Sequence, residues 1–121
     1  MFKNKLTGLL SLILTVAAAG RSAQAGRVGG PGEAVEIVYA GEVDEYTIWF
    51  RADEVAQVVV DGDGSSDLDL FVYDENGNPV ASDTDYTDYC VATWVPRWTG
   101  RYFIRVANRG PRANVYGLRT N

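Results

Sequence analysis

From residue 33 onward, apolar and polar residues alternate in short runs, and glycine, asparagine and aspartate separate these runs about every 8 to 12 residues. A period of two is typical of strands with one buried face. No stretch keeps a helical period and no internal repeat occurs, so we expect an all-β fold, a β-sandwich of about eight strands. The predicted strands are 34–39, 45–51, 56–60, 68–73, 79–82, 90–95, 101–107 and 115–119.

The alternation also predicts which side chains face the core. Three strands carry the clearest inward rows: Tyr46, Ile48 and Phe50; Leu68, Leu70 and Val72; Tyr102, Ile104 and Val106. Asn76-Gly77 predicts a tight hairpin turn, because both residues accept positive φ. Asp69 lies within a predicted strand, so we expect it to pair with Arg101, Arg105 or backbone amides.

Residues 1–25 have the pattern of a signal peptide. Lys3 and Lys5 precede an apolar run, and Ala23-Gln24-Ala25 follows it as a small-x-small cleavage site. The alternative is a retained anchor, but polar residues and a glycine interrupt the run before the roughly 20 apolar residues that a spanning helix needs. We therefore expect a secreted or periplasmic protein with no membrane association after cleavage.

The remaining 96 residues suffice for one domain. Glycines and a proline make 26–32 a flexible lead-in, which places the domain at 33–121. Cleavage changes the formal charge from -5 to -8 and leaves no lysine. This acidic balance disfavours a nucleic-acid partner, because it repels the phosphate backbone.

The composition also argues against catalysis. The chain has no histidine, so the usual serine and cysteine triads are excluded. A lone Cys90 cannot form an internal disulfide, and its apolar neighbours favour a buried thiol over a reactive one. We predict that the protein is not an enzyme and has no catalytic residues. A small hydrolase that uses two carboxylates is the less favoured alternative.

Several motifs in sequence order resemble the bacterial pre-peptidase C-terminal domain. They are Gly41-Glu-Val-Asp-Glu-Tyr46, Ser66-Asp-Leu-Asp-Leu-Phe-Val-Tyr-Asp74, Asn76-Gly77-Asn78 and Trp98-Thr-Gly-Arg-Tyr-Phe-Ile-Arg-Val106. The resemblance covers about residues 35 to 119. It implies an antiparallel jelly-roll-like β-sandwich that serves as an accessory module of exported enzymes, often stabilised by calcium. This chain carries no attached catalytic domain, which departs from that pattern.

Nine acids lie between Asp61 and Asp88, with no Lys or Arg between Arg51 and Arg97. Crowded carboxylates repel one another, and Ca²⁺ relieves that repulsion with about 6 to 8 oxygen ligands. The spacing does not fit an EF-hand loop, so we expect a site built from two loops, with turn-capping aspartates as the alternative. The predicted calcium ligands are Asp61, Asp63, Asp67, Asp83, Asp85 and Asp88.

Exposed aromatic rings are the other candidate binding feature, since they stack on sugars and peptide surfaces. Trp98 lies in a predicted loop beside Arg97, and Tyr86 and Tyr89 lie on the acidic loop. These four residues are the predicted ligand-binding set. The leading hypothesis is a non-catalytic module that binds an extracellular polymer or protein, and the alternative is a partner or inhibitor of an exported peptidase.

Overall fold

The computed structural model describes residues 2–5, 13–16 and 26–121. Its regular elements are ten antiparallel strands. In chain order they are β1 (Phe2–Lys5), β2 (Ile13–Val16), β3 (Gly32–Val38), β4 (Val43–Phe50), β5 (Ala56–Asp61), β6 (Leu68–Asp74), β7 (Pro79–Asp83), β8 (Tyr89–Trp94), β9 (Gly100–Asn108) and β10 (Asn114–Thr120). Each of the eight predicted strands is present, with ends shifted by at most two residues.

The eight strands β3–β10 form two packed four-stranded sheets, ordered β4-β9-β6-β7 and β3-β10-β5-β8. The pairs β3·β10, β4·β9, β5·β8 and β6·β7 are nested, so the chain runs as one long hairpin wound into a sandwich. This nesting is the connectivity of a jelly roll. The predicted all-β sandwich of eight antiparallel strands is confirmed.

The core lies between the two inner faces. The predicted inward rows of β4, β6 and β9 are all buried, whereas Trp49, between two of them, is half exposed. The sheet containing β5 adds Val58, Val60 and Leu118 from the other side. Alternation with a period of two therefore identified the buried face correctly.

The segment 26–32, predicted as a flexible lead-in, is hydrogen bonded to the sandwich. The Arg27 amide donates to the Asn121 carbonyl, and the Val28 amide donates to the Trp49 carbonyl. The Arg27 side chain is buried and donates to the Gly30 carbonyl. These contacts make the segment part of the folded domain, because its backbone groups find partners in β4 and at the end of the chain after β10.

Two short strands precede this segment. β1 pairs with β4 and β2 pairs with β3, so each adds a strand to one outer edge of the sandwich. The other residues of 1–25 lie outside the described part of the chain, and the signal peptide stays a prediction. Among residues 2–5, 13–16 and 26–121 no helix is long and apolar enough to cross a membrane.

Candidate binding groove and acidic end

The loops between β5 and β6 and between β7 and β8 meet at one end of the sandwich, which we call the acidic end. The Gly62 amide donates to the Asp88 carbonyl at 2.9 Å, and the Gly64 amide donates to Asp88 Oδ2 at 2.7 Å. Buried Asn114 donates to the same Oδ2 at 2.8 Å. The two acidic loops therefore lie together, as antiparallel pairing of the central strands requires.

Four of the six predicted calcium ligands accept hydrogen bonds from nearby protein groups. Asp63 accepts from the amides of Ser65 and Val115, and these bonds, with one from the Ser65 hydroxyl, lower the pKa of its carboxyl. Asp85 caps the Thr87 amide in the same way, and its pKa is lowered as well. Asp83 accepts from Val91, and Asp88 from Gly64. Asp63 and Asp85 therefore cap their own turns, while Asp83 and Asp88 bind the amides of neighbouring segments.

Asp67 differs from these acids. Its Oδ1 is buried and accepts no hydrogen bond. Burial raises the pKa of the Asp67 carboxyl, and the charges of Asp69, Asp85 and Asp88 raise it further against the opposing charge of Arg109. Oδ1 of the neighbouring Asp69 is also buried without a hydrogen-bond partner, and two such oxygens fit a cation. Within the described residues, however, no three or more Asp, Glu, Cys or His side chains are arranged to hold a metal ion.

Asp69 pairs with Arg109, and the expected pairing with Arg101 or Arg105 was wrong. Its Oδ2 accepts from Arg109 Nε at 3.1 Å. The register places Asp69 opposite Ala107, near the end of β9 where Arg109 follows. Arg105 is held by Glu45 at 2.7 Å instead. The residue that pairs with Asp69 thus depends on the β6–β9 register, which the sequence does not specify.

A groove of about 450 Å³ lies at the opposite end of the sandwich. The β6–β7 turn forms one wall and the loop from β8 to β9 forms the other. We call it the tryptophan groove. Its lining residues are Asp74, Asn78, Pro79, Val80, Trp94, Val95, Pro96, Arg97, Trp98 and Tyr102.

Packed rings hold the inner part of the tryptophan groove in place. The rings of Trp94 and Phe50 meet edge to face with their centroids 4.9 Å apart, and the ring centroids of Trp94 and Tyr102 are 5.5 Å apart. Trp94 is only 8% exposed, and its buried Nε1 has no partner within the usual distance and angle of a hydrogen bond. Trp98, at the rim, is 38% exposed. A rigid inner ring and an accessible outer ring therefore share one cavity.

The polar groups of the groove are unequal. Asp74 is buried and accepts from the amides of Asn76 and Asn78, both at 2.9 Å, and from Asn78 Nδ2 at 3.2 Å. The Asn78 amide contributes most to lowering the pKa of the Asp74 carboxyl. Burial raises the pKa of the Tyr102 phenol, and Asp74 and Glu75 add to that rise, while the nearby Trp94 N–H opposes it. The Asp74 oxygens are largely satisfied by its own turn.

The four predicted ligand-binding residues do not form one site. Arg97 and Trp98 line the groove, but Tyr86 and Tyr89 belong to the acidic end. Tyr89 pairs with Asp61, and Trp94 pairs with Ala56, so these residues mark opposite ends of β8. At about 3.3 Å per residue the two ends lie roughly 17 Å apart. Tyr86 is 95% exposed and packs on nothing in the groove.

Sequence reasoning missed the other wall of the groove. Pro79 and Val80 follow the Asn-Gly turn, and Trp94 looked like an ordinary core residue beside Cys90. Their proximity to Trp98 comes from the nested pairing of β6 with β7 and β5 with β8. Pro79 and Val80 are both exposed in the structure, and nothing in the local sequence marked them as part of a groove.

No protein-family profile matches this chain, and no curated protein matches it. Solved structures do. The collagenase pre-peptidase C-terminal domain of Bacillus anthracis is 15% identical, with a TM-score of 0.64 over 74% of this chain and 87% of that chain. A periplasmic inhibitor of g-type lysozyme from Aeromonas hydrophila is 15% identical, with a TM-score of 0.56 over 75% and 84%.

A third similar structure is the Yersinia pseudotuberculosis-derived mitogen, 7% identical, with a TM-score of 0.51 over 76% of this chain and 85% of that chain. At such identities the likeness is one of fold alone. The fold is thus similar to that of a pre-peptidase C-terminal domain, the family that the sequence motifs resemble.

Proposed function

We propose that this chain is an exported, non-catalytic β-sandwich module that binds an extracellular polymer or partner protein in the tryptophan groove. The observation that carries the proposal is the groove itself, about 450 Å³ of concave surface beside an exposed Trp98. Ligand sites are concave, mostly apolar and marked by a few polar groups, and this groove has all three properties.

The arrangement of the lining residues favours binding over catalysis. Asp74, the lining carboxylate, is occupied by its own turn, and its pKa is lowered. A general acid needs a raised pKa and a free position beside the reacting bond. The described part of the groove pairs this carboxylate with neither a second acid nor an activated nucleophile. What it offers is aromatic surface and hydrogen-bond donors.

The test is binding by protein purified from the exported fraction. Trp98→Ala removes the exposed ring and should weaken binding to whichever member of a panel of soluble polysaccharides and matrix proteins the protein retains. Trp49→Ala is the matched control, because Trp49 is half exposed on the outer face of the β4-β9-β6-β7 sheet and does not line the groove. Equal binding by both variants would refute the groove as the site, and hydrolysis of any panel member would refute a non-catalytic role.

Export is an element of this proposal that rests on the N-terminal pattern alone. Mass spectrometry of the exported protein should find a mature N-terminus at Gly26. Recovery of intact Met1 in the membrane fraction would instead identify residues 1–25 as an anchor.

Calcium binding is a further element, now centred on Asp67 at the acidic end. Its support is the buried, unpartnered Oδ1 of Asp67 and the nearby charges of Asp69, Asp85 and Asp88. Calcium at about 100 times its Kd should stabilise the fold by about 2.7 kcal/mol. Each kcal/mol raises the melting temperature by about 4 to 8 °C, while magnesium should do much less.

Asp67→Asn should abolish the calcium shift and Asp61→Asn should not, which separates a site at Asp67 from general charge screening. Identical melting curves in calcium and in a chelator, at matched ionic strength, would show that the acidic end is a solvated surface.

A further inference from the structure

We propose that the Asn76-Gly77 turn is a site of spontaneous covalent modification, at which the Asn76 side chain deamidates to aspartate or isoaspartate. The turn joins β6 to β7 and forms one wall of the tryptophan groove. The reaction needs water and no ligand, so it goes beyond the binding function and does not depend on what the groove binds. Its position follows from the environments of the asparagines in residues 26–121.

The reaction begins when the backbone nitrogen of Gly77 bonds to Cγ of Asn76. The nitrogen gives its proton to a solvent base, the side-chain amide takes a proton from water and leaves as ammonia, and a cyclic succinimide remains. Water then opens the ring at one of its two carbonyl carbons. One opening gives aspartate. The other gives isoaspartate, in which the main chain passes through the side-chain carbonyl and is one methylene longer.

The asparagines differ in how firmly their side-chain amides are held. Four of the five in residues 26–121 donate a hydrogen bond from the side-chain amide to another protein group. These four are Asn78, Asn108, Asn114 and Asn121. Asn76 is exposed, and within the described chain its side-chain amide has no such acceptor. The Asn76 side chain is therefore free to turn toward the following peptide bond.

The residue after each asparagine decides whether the ring can close. Gly77 has no side chain to hinder the attack, and a Cβ placed there would meet nothing within 4 Å. Asn78 is also exposed, but it precedes Pro79, whose nitrogen carries no hydrogen and cannot form the succinimide. The two neighbouring asparagines of one turn thus differ in reactivity, and Asn78 is a control within the same peptide.

One hydrogen bond of the turn opposes the reaction. The Gly77 amide donates to the Asp74 carbonyl at 3.0 Å, and this bond must break before the nitrogen can attack. Exposed turns open locally at a much lower free energy than the core strands do. We therefore expect the native protein to deamidate at Asn76 more slowly than its unfolded chain, and faster than at any other asparagine.

The modification changes the wall of the groove. The Asp74 carboxylate accepts from the backbone amides of Asn76 and Asn78, both at 2.9 Å. An additional methylene at position 76 alters the spacing between these two amides, so Asp74 can no longer accept from both in the same geometry. The new carboxylate also lies beside Asp74 and Glu75, which adds repulsion. Asn78 and Pro79 line the groove and move with the turn.

The test is incubation of the native exported protein in mildly alkaline buffer, followed by peptide mapping with mass spectrometry. Asn76 should gain the mass that replacement of NH₂ by OH brings, while Asn78 should keep its original mass. An isoaspartyl methyltransferase should label the product. Asn76→Gln should abolish the reaction, because the longer side chain would have to close a six-membered ring. Protein unfolded in urea gives the rate without the Asp74 hydrogen bond.

Two results would overturn the proposal. One is an unmodified Asn76 in native protein under conditions in which the urea-unfolded protein deamidates there, since the turn then protects the residue. The other is earlier deamidation at the buried Asn108 or Asn114.

Thermal melting tests the effect on the turn. Incubated protein that contains isoaspartate at position 76 should melt several degrees below fresh protein. Asn76→Asp adds the charge without the methylene and should reproduce only part of that loss, and incubated Asn76→Gln should melt like the fresh variant. Equal melting temperatures for fresh and isoaspartate-containing protein would contradict the loss of the Asp74 contacts. The Trp98→Ala binding test uses fresh protein, so its outcome is independent of this one.

Discussion

Tyr116 donates its hydroxyl hydrogen to Oδ2 of buried Asp44 at 2.6 Å, across the interior between the two sheets. The hydroxyl of Tyr46 lies 2.8 Å from that of Tyr116, so three polar groups form one chain of hydrogen bonds inside an apolar core. Burial raises the pKa of the Tyr46 and Tyr116 phenols, and the charge of Asp44 raises both further. The network joins β4 to β10, one strand from each sheet.

Tyr116→Phe should therefore destabilise the fold by about 1 to 3 kcal/mol, because it keeps the aromatic ring and removes the hydroxyl that donates to a buried carboxyl. The melting temperature should fall by roughly 4 to 8 °C for each kcal/mol. Tyr86→Phe is the control, since Tyr86 is 95% exposed. Equal melting temperatures for the two variants would show that the buried network adds nothing to stability.

Asp67→Asn should stabilise the calcium-free protein at neutral pH. The pKa of the folded Asp67 carboxyl is raised, so its contribution to stability is fully present below the unfolded value near 4 and is lost as pH rises through the folded pKa. Asparagine does not titrate. The difference in the free energy of unfolding between the variant and the wild type should therefore grow as pH rises from the unfolded to the folded pKa of Asp67, and then level off. Chemical denaturation at several pH values in a chelator measures it.

Asp63→Asn gives a control of opposite sign. Hydrogen bonds from Ser65 and Val115 lower the pKa of the Asp63 carboxyl, so this carboxylate stabilises above its unfolded pKa. That variant should lose stability at neutral pH and recover relative to the wild type in acid. The same pH trend in both variants would contradict the assignment of the two environments.

Gly62→Ala should destabilise the acidic end by about 1 to 3 kcal/mol. A Cβ at Gly62 would overlap the carboxyl group of Asp88, which bonds the Gly64 amide and Asn114. Gly117→Ala is the matched control, because a Cβ there meets nothing within 4 Å. Thermal melting compares the two variants, and an equal loss would mean that the packing around Asp88 is not the cause.

Cys90 should resist thiol reagents until the protein unfolds. Burial raises the pKa of its thiol to about 12, with further increases from Asp83 and Asp85, and its Sγ lies 3.2 Å from the Leu68 carbonyl. Because the thiolate is the reactive form, labelling at pH 8 should be slow in buffer and fast in denaturant. Rapid labelling of the native protein would show that β8 opens locally.

The strands and their buried faces could be predicted from the sequence. Alternation with a period of two is a local property of the sequence. Apolar residues at every second position, such as Leu68, Leu70 and Val72, are enough to identify the buried face of a strand. The Asn76-Gly77 turn was also predicted from local sequence, and Gly77 adopts the expected positive φ of +83°, whereas Asn76 does not have positive φ. The burial of Cys90 followed from its apolar neighbours.

The tertiary structure alone decided which residues share a site. Trp98 meets Trp94, Pro79 and Val80 because nested strand pairs bring two distant turns to one end, while Tyr86 and Tyr89 lie about a strand length away. The strand register likewise determines that Asp69 pairs with Arg109. The loop conformation determines that acids such as Asp63 accept hydrogen bonds from backbone amides. A sequence records which residues alternate along each strand, but contacts between strands depend on pairing and register, which are fixed only when the whole core packs.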